Sequence, residues 1–344
     1  MTTNKKSYPK VAIIILNWNG WEDTIECLES LYQINYPNYE IIVIDNGSND
    51  KSIEKIKSYA NGEIKPESSF IDYNEENKPL EVSEYKRMEI ENGRNKREGG
   101  NNYDLTLIKN EKNRGFTEGN NIGIRYALNK DSDYFLLLNN DTVVEKDFLS
   151  KLVEYGEKDK KIGILNPKIY YYDFKGRKDV INFVGEDFTL WRTGGYRYKS
   201  EEIDQGHLEN PIEVNSLNGA CFLIKRKIVS EIGFLDTDYF LRREETDYCY
   251  RAGNKGYKLV CVPNAKIWHK EFSSASQSSP LITYYSTRNN FLLVKKNGRD
   301  FDYLKFLVYF ISYLLWVKLI FYLNNEPKVV PYFFKGILDG LKFS

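Results

Sequence analysis

Tyr134-Phe135-Leu136-Leu137-Leu138-Asn139-Asn140-Asp141-Thr142 is the stretch whose reading decides the fold. An apolar run that stops abruptly in amides and an acid has the pattern of a parallel strand buried on both faces. In open α/β sheets, ligands bind at the carboxyl ends of the strands, which is where Asn139, Asn140 and Asp141 fall. Hard oxygen donors at such an end suit a divalent cation that keeps some water and some ligand phosphate. Asn and Asp are also ordinary turn formers and helix caps. Taken alone, the stretch leaves both readings open.

Outward from it, the same pattern recurs. Val11 to Leu16 is an Ile-rich run ending in Asn17-Trp18-Asn19-Gly20, followed by apolar residues at helical spacing from Thr24 to Leu31. Glu40 to Ile44 is a second run, ending in Asp45-Asn46-Gly47-Ser48, with a helix expected over Lys51–Ala60. Leu105 to Ile108 is a third run. It precedes the Gly-rich turn Asn113-Arg114-Gly115-Phe116-Thr117-Glu118-Gly119-Asn120-Asn121, which opens a helix running to about Leu128. Such a turn can offer backbone N–H groups and a helix dipole to phosphate. The order predicts a parallel sheet with right-handed crossovers.

Residues 61–104 break the rhythm. They are dense in Glu, Lys, Asn and Gly, and read as a long surface insertion, mobile in part, with Phe70–Tyr73 as a possible short strand. Beyond the quoted stretch, Phe148–Tyr155 reads as a helix and Ile162–Leu165 begins a strand. Lys168–Leu217 turns β-like, in pieces at Ile169–Phe174, Val180–Val184 and Glu213–Leu217. Asn218 to Ile224 is a tight turn into a strand, Arg242–Ala252 looks helical, and Tyr257–Val262 is a further strand. After Pro280 the pattern is helical: Ile282–Lys296, Phe301–Leu323 and Val330–Phe343. The division expected is a domain over 1–280 and a helical region over 281–344.

The 344 residues suffice for one large α/β domain with an appendage, or for two domains. Lys plus Arg and Asp plus Glu both number 49, so the net charge is zero. That balance argues against bulk binding of nucleic acid. Cys27, Cys221, Cys249 and Cys261 lack the spacing of a structural zinc site and read as buried thiols in a reducing cytosol. The stretch from Met1 to Lys6 carries no apolar signal-peptide core.

If the strands are parallel, the clusters at Asn17, Asp45 and Asp141 converge on one edge. There a nucleotide fits, with Asp45 toward base or ribose and Asp141 toward metal and diphosphate. Glu244-Glu245-Thr246-Asp247 places carboxylates at a helix start. A carboxylate there can act as general base on a hydroxyl, or can simply favour the first turn electrostatically. His269, beside Trp268 at an expected strand end, is a plausible metal ligand or phosphate contact.

The succession Ile14–Gly20, Val43–Ser48, Asn113–Phe116 with Gly119–Gly123, Leu137–Asp141, Leu217–Cys221, Glu244–Asp247 and Trp268-His269 resembles glycosyltransferase family 2, in the style of its rhamnosyltransferase-like members. The likeness runs in order from about Val11 to Arg288, interrupted by residues 61–104. It implies the GT-A fold, a Rossmann-like, mainly parallel α/β sheet flanked by helices, here with a C-terminal helical appendage. It also implies a nucleotide-diphosphate sugar donor, a divalent cation (Mg²⁺ or Mn²⁺), and a glycan or lipid-linked acceptor. Carried over by motif, Asn17, Asn19, Asp45, Asn46, Asn113, Gly115, Asn120 and Asn140 surround the nucleotide. Asp141 takes the metal role of the Asp-x-Asp motif, with Asn139 in place of its first Asp, and His269 joins it. Asn218, Gly219 and Asp247 approach the sugar or acceptor. Glu245, with Glu244 beside it, stands at the catalytic base, where an Asp is usual.

Phe306–Leu323 approaches the roughly 20 residues a membrane span needs, but Lys318 interrupts it and Tyr and Trp are scattered through it. Those features favour helices packed on the domain or lying on the cytoplasmic leaflet over a span. Two rival functions remain: a nucleotidyltransferase, whose usual Gly-rich run with a basic residue after the first strand is replaced by Asn17–Gly20, and a non-catalytic nucleotide-sugar-binding module.

Overall fold

The computed structural model describes residues 8–92, 104–271 and 279–343. Strand and helix alternate through the first half: β1 (Val11–Asn17), α1 (Trp21–Leu31), β2 (Tyr39–Asp45), α2 (Ser52–Ala60), β3 (Val82–Lys86), α3 (Arg87–Glu91), β4 (Leu105–Lys109), α4 (Gly115–Leu128) and β5 (Tyr134–Asn139). Then follow β6 (Thr142–Val144), α5 (Phe148–Gly156), β7 (Ile162–Tyr171), β8 (Ile181–Phe183), β9 (Glu186–Thr189), β10 (Gly194–Arg197) and β11 (Ile212–Val214). After them come β12 (Cys221–Lys225), α6 (Arg226–Ile232), α7 (Glu244–Asn254) and β13 (Lys258–His269). The chain continues as α8 (Pro280–Asn297), α9 (Asp300–Tyr309), α10 (Leu315–Asn325) and α11 (Val330–Lys342), with a π-helical turn over Phe310–Leu314 joining α9 to α10.

The main sheet has the order β11-β13-β7-β12-β5-β1-β2-β4-β3. Pairings among β5, β1, β2, β4 and β3 are parallel, and β12 enters antiparallel between β5 and β7. The chain leaves β1 for β2 on one side and later returns to β5 on its other side, so the strand order switches direction at β1. The crevice outside the carboxyl ends of such strands is where ligands bind in open α/β sheets. The central strands are buried on both faces, which is why they read as unbroken apolar runs. Along β1, Val11, Ile13 and Ile15 enter the core beneath α1, α2 and α5, whereas Ala12 and Ile14 enter the core beneath α4, α6 and α7. This is the period-two alternation of a strand. Gly123 of α4 lies directly over Ile14: a Cβ there would come within 2.5 Å of its Cγ2. The glycine lets helix and sheet approach closely.

Residues 61–92 lie mostly at the surface, in line with their composition, but are anchored to the core at a few points. Lys78 reaches inward to Glu29 (Nζ to Oε2, 3.2 Å) with both side chains almost fully buried, and Tyr59 donates its hydroxyl to the same carboxylate at 2.7 Å. Leu80 joins the core, and β3 forms the sheet edge beside β4. Phe70–Tyr73 forms no strand; the Phe70 ring packs on Tyr172 and Trp268, with centroids 4.6 and 5.0 Å away. The expected insertion's residues 93–103 lie outside the described residues. Helix α6 went unread in the sequence. The helix expected from Arg242 starts instead at Glu244, because Arg242 and Arg243 take positive φ of 72° and 77°.

The four cysteines are buried and unbridged. Burial pushes the Cys27 thiol up to about 12 and raises the other three, which suppresses the nucleophilic thiolate. A third apolar cluster, including Phe188, Leu190, Tyr239, Phe291, Phe306 and Phe333, joins the C-terminal helices to the β9–β10 hairpin and the loop before α7.

Candidate active site

At the carboxyl ends of β1, β2 and β5, amide and carboxylate side chains bind one another. Asn17 donates through Nδ2 to Asp45 Oδ1 at 2.9 Å, and Asp45 Oδ2 accepts from the Ser48 amide at 3.2 Å. Thr24 Oγ1 lies 2.9 Å from Asn17 Oδ1 and accepts from Asn140 Nδ2 at 3.1 Å. The register aligns Asn17 with Asp45 and Leu16 with Asn139, so the three strand ends are level.

Asp141 and His269 are brought together by a strand pairing that sequence spacing does not reveal. Short β6 runs antiparallel to the end of β13, with His269 opposite Thr142. Asp141 therefore stands beside the imidazole, its Oδ1 3.2 Å from Nε2. Asn139 Nδ2 lies 3.4 Å from the same nitrogen, and the Lys270 amide donates to the Asp141 carbonyl at 2.9 Å. Burial opposes the imidazolium, but the charge and hydrogen bond of Asp141 outweigh it and hold the His269 pKa above its ordinary value.

The donor set fits a divalent cation. A carboxylate oxygen and an imidazole nitrogen about 3 Å apart match neighbouring corners of an octahedron with bonds near 2.1 Å. Among the described residues no third His, Cys, Asp or Glu completes a metal cluster. Ligand phosphate and water would supply the remaining corners, as is usual for a hard cation at a phosphate site.

The Gly-rich turn before α4 is not an open phosphate cradle. The Arg114 amide donates to Asn46 Oδ1, the Gly115 amide to Asn113 Oδ1 and the Phe116 amide to the Phe240 carbonyl. With these N–H groups engaged, the turn instead ties β2 to the loop that precedes α7. Gly115 is required there: its φ is +80°, and a Cβ would lie 2.5 Å from the Phe240 oxygen.

That loop is anchored from α8. Asn289 Nδ2 donates to the carbonyls of Leu241 and Arg242 at 2.9 and 2.8 Å, and Arg288 donates to the Asp238 carbonyl at 3.0 Å. Arg243 donates through Nε to Asn290 Oδ1 at 3.0 Å and through a second nitrogen to the Thr193 carbonyl at 2.7 Å. These bonds hold two consecutive non-glycine residues in the left-handed region, a costly conformation that persists where the surroundings over-determine it. The result presents Glu244 and Glu245 at the first turn of α7, with Glu245 Cβ 3.6 Å from where a Cβ on Gly219 would lie.

The two glutamates differ. Glu244 is buried, its Oε2 lacks a hydrogen-bond partner, and burial followed by the charge of Glu245 pushes its pKa well above the carboxylate range. Glu245 is partly exposed, with Oε1 accepting from Thr246 Oγ1 at 3.2 Å. An acid with a raised folded-state pKa binds more protons folded than unfolded, so its contribution to stability falls as pH rises from the ordinary Glu value toward the folded one. Glu244→Gln is therefore expected to flatten the fall in melting temperature as pH rises above the ordinary Glu value of about 4. Parallel melting curves of the two proteins check this; coincident pH profiles would refute it.

One cavity of about 370 Å³ gathers these elements, a size typical of small-molecule sites. Asn19, Asn46, Asn113, Gly115, Asn140, Asp141, Asn218, Gly219, Glu244, Glu245 and His269 line it. Four expected site residues do not. Asn17 and Asp45 are buried beside it, with Asn17 donating to Asp45. Asn120 faces back into α4, donating to the Phe116 carbonyl at 2.9 Å. Asp247 is locked in a structural network with Arg251 and Asn297 at 2.7 and 2.8 Å. The sequence reading missed Trp18, Glu186, Arg197, Arg242 and Arg243 in the lining. Trp18 lies within a quoted motif and Arg242 and Arg243 adjoin one, a signal that could have found them; Glu186 and Arg197 sit in a hairpin with no motif. It also missed Asn166, which holds the Asn218 loop by accepting from its amide at 2.8 Å.

Comparisons with known proteins agree with this architecture. The model for "Glycosyl transferase family 2" matches residues 12–81, and that for "Glycosyltransferase like family 2" matches residues 96–300. A dTDP-rhamnosyl transferase, RfbF of Shigella flexneri, is 24% identical over 199 residues, covering 56% of this chain and 63% of the relative. The low-salt glycan biosynthesis hexosyltransferase Agl10 of Haloferax volcanii is 26% identical over 191 residues, covering 55% and 60%. The chain thus spans less than two thirds of either relative's length. Among solved structures, GalNAc-T7 with UDP, GalNAc and Mn²⁺ superposes with a TM-score of 0.58 at 18% identity, covering 85% of this chain and 48% of the other. The Pyrobaculum calidifontis mannosyltransferase PcManGT, in complex with GDP-Man and Mn²⁺, does so at 0.56 and 14%, covering 98% and 88%. At these identities the likeness is one of fold.

Proposed function

Because the chain belongs to glycosyltransferase family 2, we propose that it is an inverting glycosyltransferase, moving a sugar from a nucleotide-diphosphate donor to a hydroxyl of a glycan or lipid-linked acceptor. The observation that carries this is the shared cavity, which has the Asp141–His269 pair and the Glu245 carboxylate in its lining.

In this mechanism Glu245 takes the proton of the acceptor hydroxyl. The oxygen attacks the anomeric carbon from the face opposite the diphosphate, a carbon–oxygen bond forms, and the bond to the diphosphate breaks with its electron pair leaving on the diphosphate. One displacement inverts the anomeric centre. A divalent cation, Mg²⁺ or Mn²⁺, held by Asp141 and His269 would neutralise charge on the departing diphosphate. Burial biases Glu244 toward its protonated form, in which it would donate a hydrogen bond to a sugar or acceptor oxygen. Gly219 lies against Glu245 and, with Asn218, lines the same cavity, where both would approach the sugar or acceptor, and the enclosing walls align reactants and limit water. The same reading places the protein at the cytoplasmic face of a membrane, in peripheral contact with it.

A thermal-shift panel of nucleoside diphosphates and their sugars, with and without Mn²⁺, tests the proposal. The relatives make dTDP-rhamnose the first donor to try, with UDP- and GDP-sugars beside it. One donor is expected to raise the melting temperature only with the cation, and to release nucleoside diphosphate on incubation. A chain that no nucleotide sugar stabilises overturns the proposal; stabilisation without release leaves a binding module.

A further inference from the structure

The outward side of the C-terminal helices is apolar where a water-facing surface would be polar. Of the 20 large hydrophobic side chains exposed among the described residues, 14 lie between Phe301 and Leu341. Along the continuous 26-residue helix from Asp300 to Asn325 they recur at helical spacing, as at Phe301, Leu304, Val308 and Ile311, and beyond the π-helical turn at Trp316 and Ile320. Its inner side is apolar too: Phe306 and Phe310 pack on Phe291 of α8, each with ring centroids 4.9 Å away. A helix apolar all round needs cover on both sides, and the domain covers only one.

Charge and position identify the missing cover. The exposed charged residues from Asp300 to Lys342 are Lys305, Lys328, Lys335 and Lys342 with one acid, Asp300 at the helix start, whereas the other acids are half-buried and engaged: Asp302 by the Arg299 amide, Glu326 by Lys328 and Asp339 by the Tyr284 hydroxyl. Exposed lysines around an apolar face with Trp and Tyr match an anionic lipid surface. The helix is about 39 Å long, and one side of it, from Tyr303 to Tyr322, packs against the third apolar cluster. Tyr309 touches Trp191 at 5.7 Å, and Tyr322 touches Phe333 of α11 at 5.4 Å between ring centroids. With the domain lying alongside it, the helix has no free length to cross a bilayer; it suits one lying in the plane of the interface. The face also adjoins the cavity. Helix α11 packs on α8, where a Cβ on Gly336 would sit 2.8 Å from the Tyr284 carbonyl, and Leu281 at the start of α8 lines the cavity while remaining half exposed.

We infer that the outward face of α9, α10 and α11 docks flat on an anionic lipid leaflet and brings the cavity mouth to it, so that the acceptor is a lipid-anchored sugar whose chain stays in the bilayer. The acceptor clause rests on the proposed glycosyl transfer; the docking does not. The full chain, mixed with phosphatidylcholine vesicles containing about one third phosphatidylglycerol, is expected to co-sediment and to bind vesicles of phosphatidylcholine alone much less. Quenching of Trp316 by brominated lipids separates the geometries, with a Trp316→Phe variant as the reference for the other tryptophans. A flat helix places this ring about 5–10 Å deep, so shallow bromines quench most. Trp316→Glu with Ile320→Glu is expected to weaken vesicle binding about ten-fold or more, while keeping the melting temperature and donor hydrolysis, because both side chains point away from the domain.

Failure of the chain to bind anionic vesicles overturns the docking. So does strongest quenching by bromines at the bilayer centre, which would mean a span, or a dimer that the double substitution dissociates, which would mean a second copy covers the face. Vesicle binding without donor hydrolysis would sustain the docking and sink the proposed transfer.

Discussion

Glu245→Gln is expected to lower the rate of glycosyl transfer by about 10²–10⁴-fold, the usual contribution of a positioned general base, while the donor binds almost as before. The amide keeps the size and much of the hydrogen bonding of the carboxylate but cannot take the acceptor's proton. The side chain sits at the first turn of α7, fixed by the Arg242–Arg243 backbone and its bonds from Asn289, so the substitution is not expected to move the loop. Donor affinity from the thermal-shift panel, set beside turnover, separates a lost base from a collapsed site. A variant with near-full turnover would remove Glu245 from the mechanism. A variant that loses donor binding in step with turnover would give it a ground-state role instead.

Asp141→Ala carries the second large effect. It removes the carboxylate beside His269 Nε2 and leaves that nitrogen the 3.4 Å approach of Asn139 among the described residues. Loss of a group that holds charge-stabilising machinery typically costs about 10²–10³-fold in turnover. The discriminating measurement is binding. The Mn²⁺-dependent part of nucleoside-diphosphate affinity is expected to vanish, while metal-independent binding along Asn19, Asn46 and Asn113 persists. His269→Ala, which spares the carboxylate, is expected to weaken the Mn²⁺-dependent part of that affinity less than Asp141→Ala does. Equal nucleotide affinity with and without Mn²⁺ in the unsubstituted protein would refute the cation site.

How much of this was legible beforehand differs from residue to residue. The strands β1, β2, β4 and β5 are readable because burial on both faces demands an unbroken apolar run, and such a run is a local property. The polar residues that end them mark the ligand-binding edge for the same reason, so Asn139, Asn140 and Asp141 could be assigned to a cavity from the one-dimensional pattern. Residues 61–92 lie mostly at the surface, as their average polarity suggests, but composition does not reveal what anchors them. The few side chains that matter there, Lys78 and Leu80, are buried by partners such as Glu29 and the α1–α2 face. The helix at Glu244 was visible, but not the left-handed pair before it, since Arg has no intrinsic preference for that conformation.

The amino-acid order by itself determined the alternation of strand and helix, the strand ends at which polar groups collect, the family resemblance, and an amphiphilic C-terminal segment too apolar for water. Only the tertiary structure decided which polar groups face the cavity. Asn17 donates to Asp45 beside it, and Asp247 belongs to Arg251 and Asn297. Asn139 and Asp141 meet His269, which is 130 residues beyond Asn139 in the chain, because β6 pairs with the end of β13. Periodicity is written in neighbouring residues, whereas pairing and register depend on which distant strands share an edge, and a buried polar group turns toward whatever partner that edge supplies.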